Sequence, residues 1–206
     1  MNKKTTLIGL RLFFGLLSLT AITTQLAIQI NSGSSIVNFF SYFTNLSNLL
    51  AAIVIIIGAV YLIIHRKLTV RDEIVRGTSV ACMALVGIVF SVLLRNVDLG
   101  HLLPWVNIVL HYIMPVVIMV DWLYQPPNTK LTFKQTLLWL IFPLLYLVYS
   151  IIRGAIVGFY AYPFFNPLKS GGYVGVTFYC IGIAITFFFL SWLLMILGNK
   201  QRQIVT

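Results

Sequence analysis

The chain has 206 residues, of which 60% are hydrophobic and only 9% charged, so most of its surface must face hydrocarbon rather than water. Its formal net charge of +10 would suit a nucleic-acid binder, but the basic residues sit in short clusters between long apolar runs and form no continuous face. A soluble domain and a nucleic-acid partner are thereby excluded, and an all-α integral membrane protein is expected.

In chain order, six segments reach the roughly 20 apolar residues that a bilayer crossing needs. They run from Thr5 to Ile30, Ile36 to Ile64, Ile74 to Leu94, Pro104 to Tyr124, Lys134 to Val157, and Tyr173 to Gly198. None shows the ten-residue alternation of a membrane barrel, and backbone groups in hydrocarbon must be satisfied within each segment, so helices are predicted. The loops are short and no motif recurs, which predicts a single six-helix domain over residues 1–206 and weakens a transporter reading.

Lys3, Lys4, Arg11, Arg66, Lys67, Arg71, Arg76, Lys130, Lys134, Lys200 and Arg202 fall on one side of this topology, while Arg95, Arg153 and Lys169 fall toward the other. The bias predicts that both termini are cytoplasmic. The first span begins like a signal peptide, but Arg11 interrupts the apolar run and no clear cleavage site follows, so a retained span is expected.

Polar residues inside the spans are concentrated in the predicted outer halves: Gln25, Gln29, Ser41, Thr44, Asn45, Asn48, Asn107, His111, Tyr146, Tyr149, Ser150 and Thr177. Buried polar groups cost free energy unless they pair or meet water. The pattern fits either a polar cavity or interhelical hydrogen bonds without a cavity.

Within this set, Thr44 and His111 carry the strongest chemical signal. A hydroxyl becomes a useful nucleophile beside a base, and imidazole is the side chain best suited to that near neutral pH. Thr44 lies eight residues into the second span and His111 seven into the fourth, which places both on the order of 10 to 12 Å from their helix starts. They can meet only if those two helices are neighbours. Ser41, Thr44 and Asn48 share one helical face, and Asn107 and His111 form an i, i+4 pair. Pro115, four residues after His111, should distort the helix at the imidazole.

The stretches Tyr42 to Asn48, Leu110 to Trp122, and Tyr146 to Gly154 running on to Tyr162-Pro163-Phe164-Phe165-Asn166-Pro167 resemble a bacterial family of six-helix membrane proteins. That family is similar to the animal androgen-induced gene 1 proteins and the androgen-dependent tissue-factor-pathway-inhibitor-regulating protein, which are intramembrane threonine hydrolases of fatty acid esters of hydroxy fatty acids. The resemblance covers about Asn38 to Pro167. It implies a multi-pass protein of the bacterial cell membrane, a lipid ester substrate, Thr44 as nucleophile and His111 as base. One departure is Asn166, where the family pattern leads us to expect an aspartate.

Residues for the remaining roles follow. Asn48, Asn107 and Tyr149 are the expected oxyanion or orienting groups, because amides within a continuous helix are already bonded. Arg153 and Arg95 are candidates for gripping a substrate carboxylate, with snorkelling toward lipid phosphates as the alternative. Asp121 is ten residues from His111, roughly 15 Å along the helix, so a dyad oriented by neutral groups is expected unless Asp98 folds inward from its loop.

No cofactor or metal is expected. Cys82 and Cys180 lie in separate spans, the three histidines are dispersed, and no phosphate-binding or dinucleotide motif occurs. The alternative function is non-catalytic binding or transport of a lipid or small molecule.

Overall fold

The computed structural model of the chain describes residues 3–97, 100 and 102–205, so Asp98 and His101 lie outside the described residues. Among the described residues six helices are long and apolar enough to cross a membrane: α1 (Lys3–Asn31), α2 (Phe43–Ile63), α3 (Val70–Leu94), α4 (Pro104–Tyr124), α5 (Phe133–Val157) and α6 (Gly172–Ile204). No strand occurs among them.

Helix starts and stops follow local chemistry. Thr69 and Asp72 form a reciprocal capping box that opens α3 at Val70, four residues ahead of the expected Ile74. Pro104 opens α4 at a position whose N–H would lack an intrahelical partner anyway. Gly158, with φ of 70°, ends α5 in the left-handed conformation that glycine adopts without strain. The last helix outruns its expected end at Gly198, and the Asn199 side chain ties it to the loop before α5 by bonding both Leu131 N (2.8 Å) and Leu131 O (3.0 Å).

The largest departure from expectation is the second span. Instead of one helix from Ile36 to Ile64, a short helix, Ile36–Phe40, is capped by Ser35 and followed by a break at Ser41 and Tyr42 before α2 begins. Three tyrosines satisfy the polar groups exposed there. Tyr146 donates to Ser41 O (3.0 Å), Tyr149 meets Ser41 Oγ (2.8 Å), and Tyr162 accepts from Thr44 N (3.1 Å). Asn45 adds a bond to Phe39 O (2.8 Å). A helix break among apolar side chains needs such partners.

Helix α3 is innermost, with an unbroken buried run from Val80 to Val86, and it packs against α2, α4, α5 and α6. Helix α1 lies along α2, and α2 also touches α4. Two close approaches depend on glycine. A side chain at Gly77 would collide with the Trp139 indole, and one at Gly87 would sit 3.2 Å from the Pro115 ring.

Alternating helix directions collect Arg11, Arg76 and Asp121 at one end of the bundle and Gln25, Thr44 and His111 at the other, here called the Asp121 end and the Thr44 end. At the Asp121 end the Arg11 guanidinium grips Asp121 through two bonds of 2.6 and 2.9 Å. Arg76 reaches the same carboxylate at 3.4 Å and donates to Gln125 O at 2.9 Å. Its other amino group lies 3.8 Å from Glu73, which accepts from Asn128 N at 2.9 Å. Two arginines and two carboxylates thus neutralise one another, as buried charges require.

Candidate functional site

Thr44 is the second residue of α2, so its backbone N–H belongs to the first turn and has no intrahelical acceptor. Tyr162, folded back from the loop between α5 and α6, bonds that amide and also lies 3.3 Å from Thr44 Oγ1. Burial pushes the Tyr162 phenol up to about 12, against which its bonds to Thr44 act only partly, so the hydroxyl stays protonated and available as a donor at neutral pH. The Tyr162 ring is held by stacking on Phe164 (5.1 Å between centroids, 9°) and by the edge of Tyr42 (5.6 Å).

His111 sits in a π-helical turn, Val109–Ile113, just before Pro115. The expected distortion is therefore a widened turn, in keeping with the N–H that proline lacks. A second π-turn, Phe90–Leu94, ends α3 directly opposite. The two place Phe90 flat on the imidazole, with centroids 4.0 Å apart and planes at 24°. His111 Nδ1 is 3.2 Å from Asn107 O. A carbonyl only accepts, so Nδ1 carries the proton and Nε2 keeps the lone pair of a neutral base.

The two groups line one cavity of about 410 Å³, walled also by Gln25 and Gln29 of α1, Tyr42, Asn45, Phe90, and the 160–169 loop with Asn166 and Lys169. No hydrogen bond joins Thr44 to His111 among the described residues; the Thr44 hydroxyl is on Tyr162 instead. Asn48 fixes the spacing of their helices, because its amide donates to Thr44 O (2.9 Å) and to Leu110 O (3.1 Å), which puts these carbonyls within two hydrogen-bond lengths of each other.

A second, smaller cavity of about 90 Å³ lies on the other side of Thr44, between α2, α3, α5 and α6. Its walls are almost wholly apolar, including Leu85, Val89, Leu144, Leu147, Ile183 and Phe187. Thr44, Phe90, Leu94 and Tyr162 line both spaces and form the partition between them.

The other expected site residues fall elsewhere. Asn48 is fully buried, lines neither cavity and has both amide hydrogens engaged, so it has no donor left for an oxyanion. Asn107 contributes its backbone carbonyl rather than its side chain. Tyr149 serves the helix break: the Ser41 hydroxyl donates to Val37 O (2.7 Å), so Tyr149 must donate to Ser41, and it lines neither cavity. Arg153 bonds Asn38 Oδ1 at 2.7 Å and stacks over Phe159, outside both cavities. Arg95 also lines neither, and the cation facing the larger cavity is Lys169. Asn166 faces that cavity while its side chain caps Leu168 N (2.9 Å). Asp121 is engaged by two arginines, and Asp98 is outside the described residues.

Phe90 and Tyr162 went unmarked in the sequence. Phe90 had no signal, since a phenylalanine in an apolar span is ordinary. Tyr162 was visible only as part of the aromatic, proline-bearing stretch Tyr162 to Pro167 that carries the resemblance, with nothing to single out its hydroxyl. Among the described residues no group of three or more His, Cys, Asp or Glu side chains is placed to hold a metal. No protein-family model, curated protein or solved structure matches the chain.

Proposed function

We propose that the protein is an intramembrane threonine hydrolase that cleaves lipid carboxylic esters, with Thr44 as nucleophile and His111 as general base. The observation that carries this reading is the position of Thr44 on the partition between a polar cavity containing an imidazole and an apolar one. An ester with a long acyl chain is polar at its carbonyl and apolar beyond it, and that boundary coincides with the Thr44 hydroxyl. The resemblance to a bacterial six-helix family related to threonine ester hydrolases points to the same chemistry. With the positive-charge bias, it supports the further reading that the protein belongs to a bacterial cell membrane, with its polar cavity on the outer side.

In the reaction, substrate displaces the Thr44 hydroxyl from Tyr162, and the hydroxyl turns toward the cavity. His111 Nε2 takes its proton as Thr44 Oγ1 bonds to the acyl carbon and the carbonyl π pair moves onto oxygen. When that pair returns, the bond to the alcohol breaks and the imidazolium protonates the departing alkoxide. Water from the polar cavity, deprotonated by His111, then releases the fatty acid and restores Thr44. Asn107 O holds the imidazole in the required tautomer throughout, and Phe90 fixes its plane.

The test uses purified protein in detergent, p-nitrophenyl decanoate as substrate and a fluorophosphonate probe. Wild type should turn over ester and take up the probe, while Thr44→Ala and His111→Gln do neither. Normal labelling of Thr44→Ala would overturn the assignment. The resting bond of Thr44 to Tyr162 rather than His111 favours, as second reading, a lipid-binding protein, for which saturable lipid binding with no ester turnover in wild type is the expected outcome.

A further inference from the structure

The geometry points to an oxyanion hole made by the backbone N–H of Thr44 and the hydroxyl of Tyr162. This assignment rests on the hydrolase reading above and supplies the component it lacks. Acyl transfer through a tetrahedral intermediate needs donors aimed at the developing negative oxygen. The side chains expected to provide them do not reach: Asn48 has its amide on two carbonyls, and Tyr149 has its hydroxyl on Ser41.

The break at Ser41 and Tyr42 removes the difficulty that helical amides are already bonded. It leaves the Thr44 N–H without a carbonyl acceptor, at the positive end of a 21-residue helix. The group now on that N–H is the Tyr162 oxygen, at 3.1 Å, itself 3.3 Å from the nucleophile. A donor, an amide and the attacking hydroxyl therefore converge where both cavities meet. Of the three tyrosines that serve the break, Tyr162 alone faces both cavities; Tyr146 lines only the apolar one and Tyr149 neither.

As Thr44 Oγ1 adds to the ester carbon, the carbonyl oxygen moves between the amide and the phenol. Each then donates one hydrogen to the oxygen that gains the π pair. Neither donor loses its proton, and both return to each other when the intermediate collapses. The phenol, ionising only at about 12, remains a donor throughout the range in which a neutral imidazole acts as base.

Tyr162→Phe keeps the ring against Phe164 and Tyr42 and removes only the hydroxyl. With p-nitrophenyl decanoate it should lower kcat about 100- to 1,000-fold and leave KM within about twofold. A decyl trifluoromethyl ketone, which adds to the nucleophile and generates the oxyanion, should bind about 100-fold more weakly to Tyr162→Phe, whereas the unreactive decyl methyl ether should bind equally. A purely structural tyrosine would alter both ligands alike. If Thr44→Ala is inactive while Tyr162→Phe keeps kcat within about threefold of wild type, the oxyanion assignment fails alone. If Thr44→Ala is active, the hydrolase reading fails with it. Should Tyr162→Phe not fold, 3-fluorotyrosine at position 162 retains the hydroxyl with greater acidity and should tighten the ketone at least about twofold; unchanged affinity would overturn the proposal.

Discussion

At the Asp121 end of the bundle, four charged side chains from three helices close on one another, and the following loop bonds the same groups through the Gln125 carbonyl, which accepts from Arg76, and the Asn128 N–H, which donates to Glu73. At the Thr44 end the groups around Thr44 and His111 form no ion pair among the described residues; they come from a broken helix, two π-turns and a loop, and face a cavity of about 410 Å³ with Lys169 on its wall. Both ends bury polarity, but at the Asp121 end the charges are bonded to one another beside a cavity of about 290 Å³ lined mainly by apolar side chains, whereas the cavity at the Thr44 end is walled by hydrogen-bonding groups. Closed charge networks lock helices together, because opening them strands an ion in a medium of low dielectric. An open arrangement of neutral donors and acceptors stabilises less and can exchange a protein partner for a substrate. The Asp121 end is thus suited to hold α1, α3 and α4 in place, and the Thr44 end to change its hydrogen bonds during a reaction.

The strongest way to break this comparison is Asp121→Ala, which leaves Arg11 and Arg76 facing each other without their shared carboxylate. It should cost about 3 to 5 kcal/mol, read as a fall in thermal unfolding temperature in detergent. A loss below about 1 kcal/mol would mean that the two ends do not differ in this respect. Asn48→Leu, which removes the bridge between α2 and α4, should cost about 1 to 3 kcal/mol and also reduce ester turnover, because His111 loses its register with Thr44. If stability falls while turnover is untouched, Asn48 is not what sets the register.

Thr44→Ala sharpens the contrast in the other direction. It should change stability by no more than about 1 kcal/mol while ending turnover, since only one neutral hydrogen bond to Tyr162 is lost. Alkaline titration offers a further check. The Tyr162 pKa is raised from 10.0 to about 12 by burial, so its contribution to stability is complete below pH 10.0 and is lost as pH rises through about 12. Tyr162→Phe should lack that part of the loss. The smallest effect belongs to Arg153→Gln: with its guanidinium on Asn38 rather than in the cavity, carboxylate-bearing and neutral esters should respond equally, within about twofold. Selective loss of the carboxylate-bearing ester would return Arg153 to the recognition role that its sequence position first suggested.

Much of the site was legible because some signals are local. Thr44 and His111 stand out as a hydroxyl and an imidazole in apolar runs, and Pro115 marks the turn at His111 as irregular whatever surrounds it. The break before α2 was not legible, because Ile36 to Ile64 satisfies every local requirement of one helix. What stabilises the break is three tyrosine hydroxyls arriving from residues 146 to 162. Asn48 and Tyr149 were reasonable donors by position, but whether a donor is free depends on which acceptors the fold brings to it. Arg153 illustrates the same point, since its partner Asn38 is 115 residues away in the chain.

The sequence by itself determined an all-helical chain with six segments long enough to cross a membrane, and a polar set gathered toward one end of them. Apolar run length and helical periodicity are properties of the chain read locally, and hydrocarbon permits few other solutions. Only the tertiary structure decided that Asp121 belongs to two arginines, that Phe90 lies on His111, and that Tyr162 rather than Asn48 or Tyr149 meets the Thr44 hydroxyl and amide. Those outcomes depend on which buried groups compete for each hydrogen bond, and that competition exists only once the helices have packed.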